Sequence, residues 1–230
     1  PMNFNTEDGA TIISMIYHDG GIHKNSLCPH YRNYKKDMIE HVIRSVNDVC
    51  GKIESPLLIN NTQIYFPKIL GIIMIYGLGL SYGSKLKTNP KIPHFIHNTT
   101  NKIKCSFLRQ AFDDEGSVDE GRNGSGRQIT FSQSSDISTH HDNELAKIRK
   151  TNDSTYISNI IKDDKSLLES LGINVRGPYF KQEYHSKNGR ISHNWRIAIS
   201  DRKNLTIFND KISFYLKYKR NKLQRILKSY

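Results

Sequence analysis

Large apolar residues recur at helical spacing in a stretch that occurs twice. Residues 12–21 read IISMIYHDGG and residues 108–117 read LRQAFDDEGS. Aligned on their glycines, Ile12, Met15, Ile16, Asp19 and Gly20 pair with Leu108, Ala111, Phe112, Glu115 and Gly116. Apolar side chains at i, i+3 and i+4 share one helix face, so each copy predicts a short apolar helix closed by an acid and a glycine. The glycine is expected to supply a left-handed turn that ends the helix. The acid sits at the negative end of the helix dipole, where it needs a compensating partner. Two such faces packed in parallel bring both carboxylates to one edge of the molecule, close enough to share divalent metals.

Between and after the copies, the pattern alternates between periods of two and 3.6. Residues 21–27 and 31–35 predict a polar, aromatic hairpin, and 37–49 a helix with Met38, Val42, Val46 and Val49 along one stripe. Two strands around an Asn60-Asn61 turn follow, then a helix over 68–80 begun by Pro67. Residues 118–135 predict a hairpin in which Ile129 and Phe131 face a core while Gln128, Thr130 and Ser132 face outward. Helices are expected over 143–149 and 153–171, a hairpin over 179–185 and 192–200 around Asn188-Gly189, and closing helices over 204–212 and 221–228. The order helix, hairpin, helix, hairpin, helix thus occurs twice. The reading is a duplicated α/β unit, with halves at 1–90 and 104–230 joined by 91–103.

Charge changes the picture. A formal net charge of +12 over 230 residues favours a polyanionic partner, because such an excess concentrates phosphates by long-range attraction. The three cysteines, Cys28, Cys50 and Cys105, show no metal-ligand spacing, and no secretory signal precedes them. The most apolar run, 69–80, is far shorter than the roughly 20 residues of a membrane span. The expectation is an intracellular protein, cytoplasmic, nucleoid or organellar, that leaves membranes alone.

The stretch 92–118, IPHFIHNTTNKIKCSFLRQAFDDEGSV, resembles the joint and second motif of the LAGLIDADG homing endonucleases of the single-chain, two-motif kind. Residues 204–227, NLTIFNDKISFYLKYKRNKLQRIL, are similar to that family's last helix and lysine-bearing terminal segment. The resemblance implies an α+β fold of two pseudo-symmetric αββαββα halves with antiparallel DNA-binding sheets. It implies a monomer that binds double-stranded DNA and hydrolyses one phosphodiester on each strand across a minor groove, leaving 3′ overhangs. Asp19 and Glu115 would be the catalytic, metal-binding acids, with Mg²⁺ as the physiological ion and Ca²⁺ or Mn²⁺ as substitutes in vitro. Lys219 and Lys85, each five residues beyond an apolar anchor (Phe214, Leu80), match the positions of the family's active-site lysines; Lys217, Lys87 and Lys222 are competitors.

DNA recognition is expected from the polar faces of the hairpins, where β-ribbons reach base edges in the major groove. The candidates are Lys24, Asn25, Arg32, Lys35, Arg122, Arg127, Gln128, Thr130, Ser132, Lys181, Arg190, Asn194 and Arg196. Gln110 stands where the family keeps a glycine, and His18 where it keeps a small residue. A buried glutamine needs hydrogen-bond partners, and its crowding is expected to be relieved by Ala111 or a local helix shift. The first motif lies near the start of the chain without flanking splicing segments, so the expectation is an intron-encoded or free-standing enzyme rather than an intein. The alternatives are an RNA maturase and a non-catalytic DNA-binding protein on the same fold.

Overall fold

The computed structural model describes residues 2–53, 57–121, 126–138 and 156–230. The first half contains α1 (Glu7–Tyr17), β1 (Gly20–Ile22), β2 (Pro29–Arg32), α2 (Lys36–Cys50), β3 (Leu57–Ile59), β4 (Gln63–Tyr65) and α3 (Lys68–Ile72), which continues as a π-helical turn over Ile73–Gly77. Two short helices, α4 (Lys85–Thr88) and α5 (His94–His97), lead to the second half. That half comprises α6 (Asn101–Asp114), β5 (Gly116–Asp119), β6 (Gln128–Asp136), α7 (Asn159–Ser170), β7 (Arg176–His185), β8 (Ile191–Ile199), α8 (Arg202–Lys211) and α9 (Lys217–Lys228).

The apolar repeat sits at the centre. Thr6 begins α1 by accepting the Gly9 N–H at 3.0 Å, the role expected of an N-cap hydroxyl. From Gly9 to Tyr17 every residue of α1 is buried, including the polar Thr11 and Ser14. The helix is therefore covered on all sides, and α6 supplies one of those covers in the most extensive contact between two helices among the described residues. Each half runs αββαββα, and each carries a four-stranded antiparallel sheet, ordered β1-β2-β4-β3 and β5-β6-β8-β7. This is the α+β architecture that the resemblance implies.

Alternation decides the faces. Phe131 pairs with Ile197 and Ile129 with Ile199 across β6 and β8, all buried, while Ser132 opposite Arg196 and Ser134 opposite Asn194 face away from the core. In the first sheet Tyr31 and Ile64 are opposite each other and buried. Asn60 and Asn61 have φ of 51° and 54° and make the β3–β4 turn, as expected.

Other expectations are corrected. Gly20 and Gly116 lie outside the left-handed region; they open strands instead of capping helices. Glycine is needed there for close approach: a Cβ on Gly20 would lie 2.5 Å from His30 O and 2.6 Å from Met15 O, and one on Gly116 2.5 Å from Phe112 O. The first hairpin begins and ends earlier than expected, so residues 24–26 form its turn and Lys35 falls at the start of α2. The helix over 68–80 widens into the π-helical turn after Ile72. Helix α6 begins at Asn101, inside the stretch read as a joint, and α7 begins only at Asn159. The helix read over 143–149 lies outside the described residues.

Candidate functional site

The helix ends deliver both acids. Glu115 is the C-cap of α6, its N–H donating to Ala111 O at 2.9 Å, and Asp19 follows the C-cap of α1, His18. Burial raises the Asp19 carboxyl above the ordinary range, against the pull of Lys85, His18 and Lys219. Burial also raises Glu115, and the Asp19 charge raises it further. The two carboxylates are therefore close enough to repel through a poorly screening medium. Asn33 Nδ2 donates to Asp19 Oδ2 at 3.2 Å.

The two expected lysines lie beneath the acids. The Lys85 ammonium donates to His18 O and to Gly20 O, the latter at 2.9 Å. The Lys219 ammonium donates to Phe112 O at 2.9 Å and Asp113 O at 2.6 Å. Each thus binds main-chain carbonyls at or just beyond the end of a repeat helix, where the dipole is negative. Burial pulls Lys85 down to about 8, with Glu115 and Asp19 opposing the drop. Lys219 is also lowered by burial, against Asp113, Asp114, Asp19 and Glu115.

A third carboxylate was not anticipated. Asp114 accepts hydrogen bonds from Tyr31 OH at 2.6 Å and from Gln110 Nε2 at 3.0 and 2.9 Å, with Asn33 Nδ2 at 3.4 Å. Burial, then the charge of Asp19, pushes it up to about 8. Gln110 is buried, but its amide reaches Tyr31 and Asp114 instead of wedging the helices apart; its Oε1 has no hydrogen-bond partner. In the first copy the position matching Asp114 is His18, which is buried, with Nε2 3.3 Å from Asp164 Oδ2 on α7 and Nδ1 2.7 Å from Ser14 O. Burial depresses His18, yet the charge and hydrogen bond of Asp164 together with the charge of Asp114 outweigh it and hold His18 above the ordinary histidine range.

Each acid opens into a polar concavity. Glu115 shares a groove of about 560 Å³ with Gln128, Thr130, Ser132, Lys181, Asn194 and Arg196. Six of the residues expected to face DNA are thus brought to one surface beside the second acid. Asp19 shares another groove, of about 510 Å³, with Arg32, Lys35, Tyr218 and Lys219. Arg32 donates to Tyr34 OH at 3.0 Å, and the Lys35 ammonium lies 5.4 Å from the centre of the Tyr218 ring. Lys24 and Asn25 are exposed in the β1–β2 turn.

Two candidates stand apart, and a third lies outside the described residues. Arg190 ion-pairs with Asp136 at 3.3 Å in a different concavity, Arg127 lies 4.9 Å from the centre of the Tyr230 ring, and Arg122 is outside the described residues. Sequence reasoning missed Ser117 and Tyr184, which also line the Glu115 groove. The alternation of Gly116 and Val118 inward would have found Ser117. It also missed His30, Gln63 and Tyr65, adjacent on the first sheet, where the His30 and Tyr65 rings are 5.7 Å apart and Gln63 donates to Tyr65 OH.

Two comparisons with known proteins return nothing: no protein-family model and no curated protein matches the chain. Solved structures do. Full-length DUF199/WhiA from Thermatoga maritima superposes with a TM-score of 0.46 at 12% identity, over 100% of this chain and 62% of that one. The N-terminal LAGLIDADG domain of DUF199/WhiA gives 0.42 at 13%, over 92% and 85%. The chain therefore spans less than two thirds of the full-length WhiA structure. Likeness at this level assigns no activity or ligand. Among the described residues no helix is long and apolar enough to cross a membrane.

Proposed function

We propose that this protein is a LAGLIDADG-type DNA-binding protein that lays a duplex along its two sheets and, as a monomer, hydrolyses one phosphodiester on each strand. One observation carries the reading: each repeat acid lies in a groove that also presents basic, amide or hydroxyl side chains suited to DNA, alongside Asp119 in one groove and Asp113 and Asp114 in the other. The net charge of +12 supplies the long-range attraction.

The donor set fits a hard divalent cation such as Mg²⁺. Among the described residues no three His, Cys, Asp or Glu side chains converge on a metal position. Asp19 and Glu115 would supply two carboxylates, and Mg²⁺ is commonly held by one or two carboxylates together with water and phosphate oxygens. Burial raises the affinity of both for protons, and at Glu115 the Asp19 charge adds to it; a bound cation would offset both effects. Bound there, the ion would supply an activated water and stabilise the leaving oxygen. Lys85 and Lys219 hold the helix ends that carry the acids and offset their charge. Arg196, Lys181, Arg32 and Lys35 bind phosphate, while Gln128, Thr130, Ser132 and Asn194 meet base edges.

A second reading, DNA binding without cleavage, is favoured by a different observation. Both lysines use two of their three N–H donors on main-chain carbonyls, which ties each ammonium to a helix end and leaves it one donor for a phosphate.

One experiment separates the two. The protein is incubated with a randomised duplex library in Mg²⁺, in Ca²⁺ and in EDTA, and bound and cut molecules are sequenced. Selected sites carrying Mg²⁺-dependent 3′ overhangs, lost in Asp19→Asn and Glu115→Gln, support cleavage. Selected binding without cut ends under any condition supports the second reading, and absence of any selected site overturns both.

A further inference from the structure

The residue before each acid is polar, buried at His18 and half-buried at Asp114, and bonded into the opposite half. In the first half His18 reaches Asp164 on α7, with both side chains fully buried. In the second half Asp114 takes hydrogen bonds from Tyr31 on β2 and, through Asn33 just beyond it, from the same half-one segment. The sequence spacing across these contacts is 146 residues in one case and 83 in the other. Chemically the pair is asymmetric, an imidazole meeting a carboxylate on one side and a carboxylate meeting a phenol and an amide on the other. Topologically it is reciprocal.

We infer that His18 and Asp114 are positioning residues, two crossed braces that set the relative placement of Asp19 and Glu115 across the halves. Each brace ends one residue from an acid, so a shift of either half along the α1–α6 contact stretches a buried hydrogen bond before it moves the acid. Breaking a buried polar contact while leaving its partner in place costs more than the bond gains, so the braces select one register of the helix pair. Asn33 joins the second brace to the first acid: its amide donates to Tyr31 OH at 3.0 Å and to Asp19 Oδ2 at 3.2 Å. The two departures noted in the sequence, His18 and Gln110, thereby gain a common physical role, His18 as one brace and Gln110 as a donor to Asp114 in the other. The inference rests on the reading of Asp19 and Glu115 as the working acids, but its test does not.

The test is amide hydrogen exchange on the full chain without metal or DNA, comparing wild type with Asp164→Ala, Asp164→Asn, Tyr31→Phe and Asn33→Ala. A brace acts across the halves. Asp164→Ala is expected to speed exchange about tenfold at the α1 end, residues 18–20, and Tyr31→Phe and Asn33→Ala to do so at residues 114–116, the order of effect of one lost charge-assisted hydrogen bond. Asp164→Asn keeps an oxygen that accepts from His18 Nε2 and is expected to restore near wild-type exchange. Amides of Val42 and Leu223, on helices that carry no residue of either brace, serve as the folding control. Acceleration confined to the mutated half, or equal in the control amides, overturns the inference. Mn²⁺ titration of the same proteins followed by paramagnetic resonance reads the acids separately. Weakened uptake in the brace variants supports positioning, and unchanged uptake in variants that do bind Mn²⁺ overturns it. Failure of the wild type to take up Mn²⁺ counts against the proposed metal site, with exchange still deciding the braces.

Discussion

The Lys219 ammonium donates to the main-chain oxygen of Asp113 at 2.6 Å while shielded from solvent. A cation in that position closes the last turn of α6 by adding a donor to Asp113 O and to Phe112 O, which the Glu115 N–H also reaches, and offsets the carboxylates gathered beyond it. Replacing it with Met takes a charged donor from two carbonyls at the helix end and leaves the acids less balanced. Lys219→Met is expected to lower the unfolding free energy by about 2 kcal/mol, measured by urea denaturation near neutral pH; an unchanged midpoint would refute this account.

The acids oppose each other in the absence of a cation. Removing one of two half-buried, mutually repelling charges relieves the fold, so Asp19→Asn and Glu115→Gln are each expected to be more stable than wild type by about 1 kcal/mol without metal. In Mg²⁺ the order reverses, because only the wild type keeps the full ligand pair. Thermal melting with EDTA and with Mg²⁺ checks both signs, and DNA affinity in Ca²⁺ should stay within about threefold of wild type.

Stability should also track Asp114. Its carboxyl is pushed up to about 8 in the fold, by burial first and the Asp19 charge second, from an unfolded value near 4. The folded chain therefore holds a proton that the unfolded chain releases between these values. The stabilisation is present in full below about pH 4 and is lost as pH climbs through about 8. Urea denaturation at pH 5 and pH 8 should show a decline in wild type that is clearly smaller in Asp114→Asn.

DNA affinity should depend on the groove beside Glu115. Arg196→Ala and Lys181→Ala are each expected to weaken binding and to reduce the slope of log affinity against log salt by about one, the signature of one lost phosphate contact. Gln128→Ala is expected to relax sequence preference at one position while leaving that slope unchanged. Fluorescence anisotropy across a salt series distinguishes the two classes.

Much of the framework was legible because it follows local rules. The spacing of Met38, Val42 and Val46 specified α2, and the alternation around Ile129 and Phe131 correctly assigned the faces of β6, since pleat geometry permits one choice once a face is apolar. Repetition of the acid-glycine ending drew attention to Asp19 and Glu115, which the fold brings within electrostatic reach of each other. What stayed hidden was long-range. Nothing local marks Tyr31, Asn33 or Asp164 as partners of residues some 80 to 146 positions away. The glycines illustrate the same limit: a left-handed turn is a local property that sequence reasoning tests for, whereas the approach of His30 O to Gly20 is visible only once β1 and β2 are paired.

The two sheets also differ in extent. Strands β1 to β4 hold three or four residues each, whereas β6, β7 and β8 hold nine or ten. At roughly 3.3 Å per residue, one platform reaches about 10 Å and the other about 30 Å. Along a duplex this is the difference between about three base pairs and about nine, so the preferred sequence should be lopsided, with most of its information on one flank and no palindrome.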